Sequence, residues 1–291
     1  MRQKAAEVVF DVFNSLFLVV IALIMFYPVL YVIFASLSNG TELVMHRGLL
    51  LKPLSLSFAG YETAFKYKML LTGYKNTIFI VVVGGVINLL LTSFGAYALS
   101  RKSLRFKRTL SLFILFTMYF NGGLIPYFLV VKNVGLIDSI WSLIIPVSIN
   151  TFYLMIMRTS FESIPHSLEE SAKIDGANDF TILFRIILPV SKSVIAVMIL
   201  YYSVGHWNAW FNAILFLRER KLYPLQLVLR EILLLYETNS MTGALSDPVY
   251  ADVSETLKYA VIVVATIPIL LIYPFLQRYF IKGVMIGAIK E

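Results

Sequence analysis

The sequence predicts an all-α polytopic membrane protein with six transmembrane helices and both termini on the cytoplasmic side. Three observations carry this. Of 291 residues, 59% are hydrophobic and 14% charged, at a mean hydropathy of +0.80, more apolar than a domain with a solvated surface. Six runs, 12–41, 76–100, 109–131, 139–157, 193–217 and 259–277, contain no Asp, Glu, Lys or Arg, and each approaches or exceeds the roughly 20 residues needed to cross the hydrocarbon as a helix. The densest basic loop, "RKSLRFKR" at 101–108, holds Arg101, Lys102, Arg105, Lys107 and Arg108, which places it inside. Alternation then places both ends inside, in agreement with Arg2 and Lys4 at one end and Arg278, Lys282 and Lys290 at the other. The net charge of +8 is mostly a topology signal, not a nucleic-acid footprint.

The first run follows Arg2 and Lys4 but is about twice the length of the apolar core of a secretory signal, so it reads as a retained anchor. The outer segment 40–74 contains "SFAGYETAFKYKMLL", where Phe58, Tyr61, Ala64 and Phe65 have helical spacing. This predicts a short helix, lying at the membrane face or packed on its own bundle. In the second span Gly84, Gly85, Ser93, Gly95, Ala96 and Ala98 supply small residues that let helices approach closely. A second long outer segment covers 218–257. No low-complexity stretch or linker interrupts the chain, so 1–291 reads as a single transmembrane domain.

Several chemistries are excluded by the residues themselves. There is no cysteine, hence no disulfide, thiolate metal site or thiol nucleophile. His46, His166 and His206 are scattered over three segments, which gives a metal site little support. The pairs Gly84-Gly85 and Gly122-Gly123 lack a following Lys-Ser/Thr, so no phosphate-binding loop is present. All six spans can be drawn without enclosing an acidic residue, unlike the relays of proton-coupled carriers.

Against this background the loop 158–192 stands out. Its stretch "LEESAKIDGANDFTILFRIILP" carries Glu169, Glu170, Asp175 and Asp179 around Gly176. Ser163 as a cap and Pro165 in the first turn predict a short helix ending at Gly176. Asn178 predicts the cap of a second, which Pro189 stops. Ile164, Leu168 and Ala172 form an apolar ridge at four-residue spacing beside the charges. Such a surface suits a groove on another protein, or equally a solvated loop helix packed on its own spans.

Glu170, Ser171, Ala172, Gly176, Ile186, Leu188 and Pro189 stand at the spacing of Glu-Ala-Ala, three residues, Gly, nine residues, Ile, one residue, Leu-Pro. This resembles the signature loop of membrane subunits of bacterial ATP-binding cassette (ABC) importers, with Ser171 where that family usually has Ala. The stretches 121–146, 205–217, 222–233 and the terminal "KGVMIGAIKE" resemble the carbohydrate branch related to the maltose importer, in particular its complex-oligosaccharide subgroup, which includes alginate-oligosaccharide permeases. The resemblance covers nearly the whole chain. It implies a type I importer permease fold in a bacterial cytoplasmic (inner) membrane. It also implies, as partners, a second homologous permease, a homodimeric ABC ATPase, a periplasmic or lipid-anchored solute-binding protein and an oligosaccharide substrate, with membrane lipid around it and no nucleic acid. This chain would carry no cofactor, ATP and Mg residing on the ATPase. Glu169, Glu170, Ser171, Ala172, Asp175, Gly176, Ala177, Leu188 and Pro189 become candidates for coupling to that ATPase. Glu170 would pair with a basic residue there, and Gly176 would set the angle between the two helices. Glu169, about 100° around the helix, does not share Glu170's direction.

In the fifth span "HWNAWFN" places His206, Trp207, Asn208, Trp210 and Asn212 in or near the membrane, and Tyr119 and Asn121 follow from the third. Aromatic rings stack on sugar faces while amides bond hydroxyls, so these are candidate substrate-path residues; interhelical hydrogen bonding and an interface belt account for them equally well. Without the loop, the same six spans would also suit a secondary transporter or a channel for a small polar solute.

Overall fold

The structure is a computed structural model that describes residues 5–242, 255–272 and 274. Among these it is helical, with short turns and no strand. The helices are α1 (Ala5–Ser36), α2 (Gly40–Met45), α3 (Ala59–Lys66), α4 (Lys68–Ser100, with a π turn at Ile80–Gly84), α5 (Lys107–Tyr119) and α6 (Leu124–Asn133). They continue as α7 (Thr151–Glu162), α8 (His166–Ile174), α9 (Asp179–Val190), α10 (Lys192–Trp207), α11 (Phe211–Phe216), α12 (Leu225–Thr242) and α13 (Glu255–Ile272). The terminal charges Arg2, Lys4, Arg278, Lys282 and Lys290, and the end "KGVMIGAIKE", lie outside the described residues.

Three helices are long and apolar enough to cross a membrane unbroken: Glu7–Ser36, Lys68–Ser100 and Glu255–Ile272. The other three spans are broken, and counting each bent pair as one gives six. Lys107–Tyr119 and Leu124–Asn133 meet at 113°, because Gly123 takes φ +90° and the Asn121 side chain accepts its N–H at 2.9 Å. Ile140–Val147 and Thr151–Glu162 meet at 49°, where Asn150 caps α7 by accepting the Tyr153 N–H at 3.2 Å. Asp179–Val190 and Lys192–Trp207 turn by 87° at Ser191. The run 193–217, uncharged throughout, is itself divided: α10 stops at Trp207 and the chain resumes as α11. Charge counting sees length but not these breaks, two of which Gly123 and Asn150 impose through backbone conformation and capping.

Contacts divide the chain into two units. The first comprises 1–68 and 229–267. There α1 exposes apolar side chains all round, with Phe10, Phe13, Leu23 and Met25 among them, as suits a lipid-facing helix. Its C-terminal end buries Ala35 with Leu43 and Leu50, flanked by Tyr31 and Tyr259. The predicted short helix is α3, whose Gly60 lies against the backbone of Thr256, where a Cβ would fall 3.0 Å from the carbonyl carbon.

The second unit comprises 69–228 and 268–291. Its core joins Ala96, Leu154, Met157, Phe161, Ile182, Ile187, Met198 and Tyr202 from α4, α7, α9 and α10. Four of the six small residues in the second span make the close contacts. A Cβ on Gly84 would lie 2.9 Å from His206 Nε2, and one on Gly95 2.9 Å from Leu154 Cδ1, while Ser93 and Ala96 are buried. Gly85 faces open space and Ala98 is exposed.

Candidate functional site

The charged loop folds as two helices with a fixed corner. Ser163 does not open the first: it closes α7 and donates its hydroxyl to Ser160 O at 2.8 Å. Pro165, extended at ψ 130°, is the residue from which α8 starts. The end of α8 is tied by Gly176 N–H to Lys173 O at 3.0 Å and Ala177 N–H to Ala172 O at 2.9 Å, with Gly176 at φ +83°, the paired bonds of a glycine-closed helix end. Asn178 caps α9 as predicted, accepting the Thr181 N–H at 2.8 Å. Pro189 does not stop α9 at once. It lies in the last turn, after a π segment Leu183–Ile187 that re-spaces the helix where proline removes a donor.

Each face of α8 has a different environment. Ile164, Ala172 and Ala177 pack into the chain's own core, and Leu168 is half-exposed, so most of the predicted ridge turns inward. Ser167, Glu170, Ser171 and Ile174 form the outward face, with Ile174 86% exposed. Asp175 and Gly176 are exposed at the corner, Leu188 is half-buried, and Pro189 is exposed.

Glu169 points inward. It is 7% exposed, is ion-paired with the Arg101 guanidinium, and receives Lys173 Nζ at 3.0 Å. Burial acts to raise its pKa. The hydrogen bonds from Lys173 and Arg101, with their charges, outweigh burial and hold the carboxyl below its ordinary value. Arg101 also donates to Ser100 Oγ from Nε at 3.0 Å and from Nη2 at 2.8 Å, reaches Phe161 O at 3.4 Å, and lies 4.6 Å over the Tyr97 ring. Tyr97 in turn donates to Asp179 Oδ1 at 3.3 Å. Nearby, Lys107 and Arg158 converge on Glu162 at 2.6 and 3.1 Å. Arg101 and Lys107 of the basic loop therefore hold Glu169 and Glu162 of the loop 158–192. Sequence reading missed Arg101 and Tyr97 because their partners lie far away in the chain; Lys173, four residues from Glu169 on the same helix, was open to detection from that spacing alone.

The candidate path residues separate. His206 is buried, its Nε2 2.7 Å from Asn88 Oδ1, and the Asn88 amide donates to Val147 O at 2.8 Å and Ser148 O at 2.9 Å. Trp207 is buried against Tyr74, ring centroids 6.2 Å apart. These two side chains serve packing between helices. Tyr119, Asn121, Asn208 and Trp210 are exposed, and Asn212 is half-buried with a side-chain hydrogen bond to Tyr127.

Elsewhere in this unit, Asp138, at φ +58°, accepts the N–H groups of Arg218 and Glu219, both at 2.9 Å, and donates its own N–H to Phe216 O at 2.8 Å. Those two backbone donors hold its carboxyl below the ordinary value. Among the described residues no group of three His, Cys, Asp or Glu is placed to hold a metal ion.

Broken spans and a capped, cornered loop are thus features of the second unit. Residues 92–286 match the family described as "Binding-protein-dependent transport system inner membrane component", and the chain belongs to that family. It is thus a multi-pass inner-membrane component of an ABC transporter, and the channel and secondary-transporter alternatives give way. The chain is 42% identical over 283 residues to the polygalacturonan/rhamnogalacturonan transport system permease protein YtcP of Bacillus subtilis (strain 168), covering 97% of this chain and 98% of that protein. It is 40% identical over 291 residues to protein LplC of the same organism, covering 100% and 98%. Among solved structures, a bacterial ABC transporter involved in the import of the acidic polysaccharide alginate matches with a TM-score of 0.88 at 35% identity, covering 96% of this chain and 99% of that one. The type I importer permease fold follows.

Proposed function

We propose that the chain forms half of the translocation path for an oligosaccharide delivered by a solute-binding protein, pairing with a second homologous permease, and that α8 is the helix by which a homodimeric ATPase drives it. The observation that carries the coupling role is the division of α8 into two faces: Glu169 and Ala172 anchor it to its own bundle, leaving Ser167, Glu170, Ser171 and Ile174 outward. A nine-residue helix is marginal alone, so a presented face of this kind needs such an anchor. Ile174 offers an apolar knob and Glu170 a charge for a basic partner, with Asp175, Gly176 and Ala177 shaping the corner. The loop then lies in the cytosol, with both termini. ATP and Mg bind on the ATPase, whose closure switches the path between inward-facing and outward-facing arrangements.

The substrate class rests on the relatives named above, one described as a polygalacturonan/rhamnogalacturonan permease and one as involved in the import of the acidic polysaccharide alginate; this supports fragments of an acidic polysaccharide for the present chain. The exposed Tyr119, Asn121, Asn208 and Trp210, with Asn212, are the residues proposed to meet sugar. Reconstitution of the chain with its partner permease, ATPase and binding protein tests the reading: labelled oligogalacturonate and alginate oligosaccharide should enter vesicles only with ATP and binding protein. Uptake that persists without ATP would refute it.

A further inference from the structure

We propose that Arg101 is the positioning residue that makes α8 move as one body with the end of α4, so that displacement of the docking helix reaches the second span through the Arg101–Glu169 pair. The inference rests on the docking role given above to α8. Along the backbone α8 is attached by non-helical links on both sides, Ser163–Pro165 before it and Gly176–Asn178 after it, and such links absorb rotation readily. Apolar packing of Ala172 against the core resists separation but fixes no direction.

The guanidinium supplies the missing constraint. One planar group pairs with Glu169 on α8, hydrogen-bonds Ser100 at the end of α4 and Phe161 O at the end of α7, and rests on the Tyr97 ring. Three helix ends therefore share one donor fork, whose geometry is far more restrictive than that of an ammonium. The Arg101 and Glu169 side chains are only 11% and 9% exposed, so water does not readily replace either partner. Lys173, placed 3.0 Å from Glu169 and 3.8 Å from Asp179, with Tyr97 donating to Asp179, extends the same network past the corner into the first turn of α9. A push on the outward face is thus delivered to α4 and α7 by a directional link.

The test uses the whole reconstituted transporter and compares wild type with Glu169→Gln, Arg101→Lys and the exchanged pair Arg101→Glu with Glu169→Arg. Co-purification of the ATPase, ATP hydrolysis stimulated by loaded binding protein, and uptake of labelled oligogalacturonate are read on each. The expected result is normal ATPase capture and continued hydrolysis in the single variants, with several-fold more ATP consumed per sugar taken up, and a return towards the wild-type ratio in the exchanged pair. An unchanged ratio in both single variants would overturn the proposal. So would a parallel loss of hydrolysis and uptake that the exchanged pair fails to reverse, since the pair would then serve folding alone. Failure of the wild-type chain to capture an ATPase would instead strike the docking role of α8.

Discussion

Glu169 and Glu170 adjoin in the chain and face different surroundings, the first buried on Arg101 and the second open to solvent. Consecutive residues on a helix are separated by about 100°, and here that rotation divides an internal anchor from an external contact. Replacing Glu169 by Ala leaves a largely buried guanidinium unpaired, with an expected loss of about 3–5 kcal/mol. The same change at Glu170 should cost less than about 0.5 kcal/mol of stability while sharply reducing transport. Thermal unfolding of the purified subunit beside uptake by the full complex separates the two.

Acid should expose the Glu169 pair. Its folded pKa lies below the ordinary 4.5, so its stabilisation is complete above that unfolded value and is lost as pH falls through the folded one. Lys173, raised above 10.5 chiefly by its hydrogen bond to Glu169, contributes fully below 10.5 and loses its contribution as pH rises through its folded value. Melting temperature should therefore fall on the acid side in wild type, and Glu169→Gln should flatten that limb. An identical acid limb in the variant would remove Glu169 from the account.

Asn88→Ala should destabilise the second unit by roughly 1–3 kcal/mol, because it strips the partner from buried His206 and from two carbonyls. Asn88→Asp should not rescue it, since an ionised carboxylate cannot donate to Val147 O and Ser148 O. Denaturation in mild detergent measures both.

Gly176→Val places a β-branched residue at φ +83°, where no neighbour crowds the side chain, so the cost of about 1–2 kcal/mol is conformational. Ile174→Asp leaves the fold intact and should abolish ATPase capture in a pull-down, if α8 docks by that face.

Single cysteines at Ser171 and at Arg218, introduced into a chain with none of its own, should react with an impermeant maleimide from opposite sides of the membrane. Reaction from the same side would break the six-span topology.

The loop was the most legible part of the molecule. Asn178 and Gly176 announce their roles through capping and positive φ, which are local and therefore written in a few adjacent residues. The six spans were legible in number, but α5 and α6 read as one uninterrupted run, since hydropathy averages over the Asn121–Gly123 corner. His206 and Trp207 looked like path residues because a polar or amphipathic side chain in a membrane has two uses, and their packing partners Asn88 and Tyr74 lie more than a hundred positions away. The direction of Glu169 was hidden for the same reason: its partner Arg101 belongs to a different loop.

The tie at Asp138 limits what evolution can place there. A left-handed backbone favours glycine, but glycine would leave the Arg218 and Glu219 N–H groups without their acceptor, and a longer carboxylate shifts the oxygen away from both. Asparagine meets both demands, with a tolerant backbone and an oxygen at the same position. Random mutagenesis of codon 138 followed by growth selection on the transported sugar should recover aspartate and asparagine almost alone, a two-letter alphabet at one corner of an otherwise permissive, greasy chain.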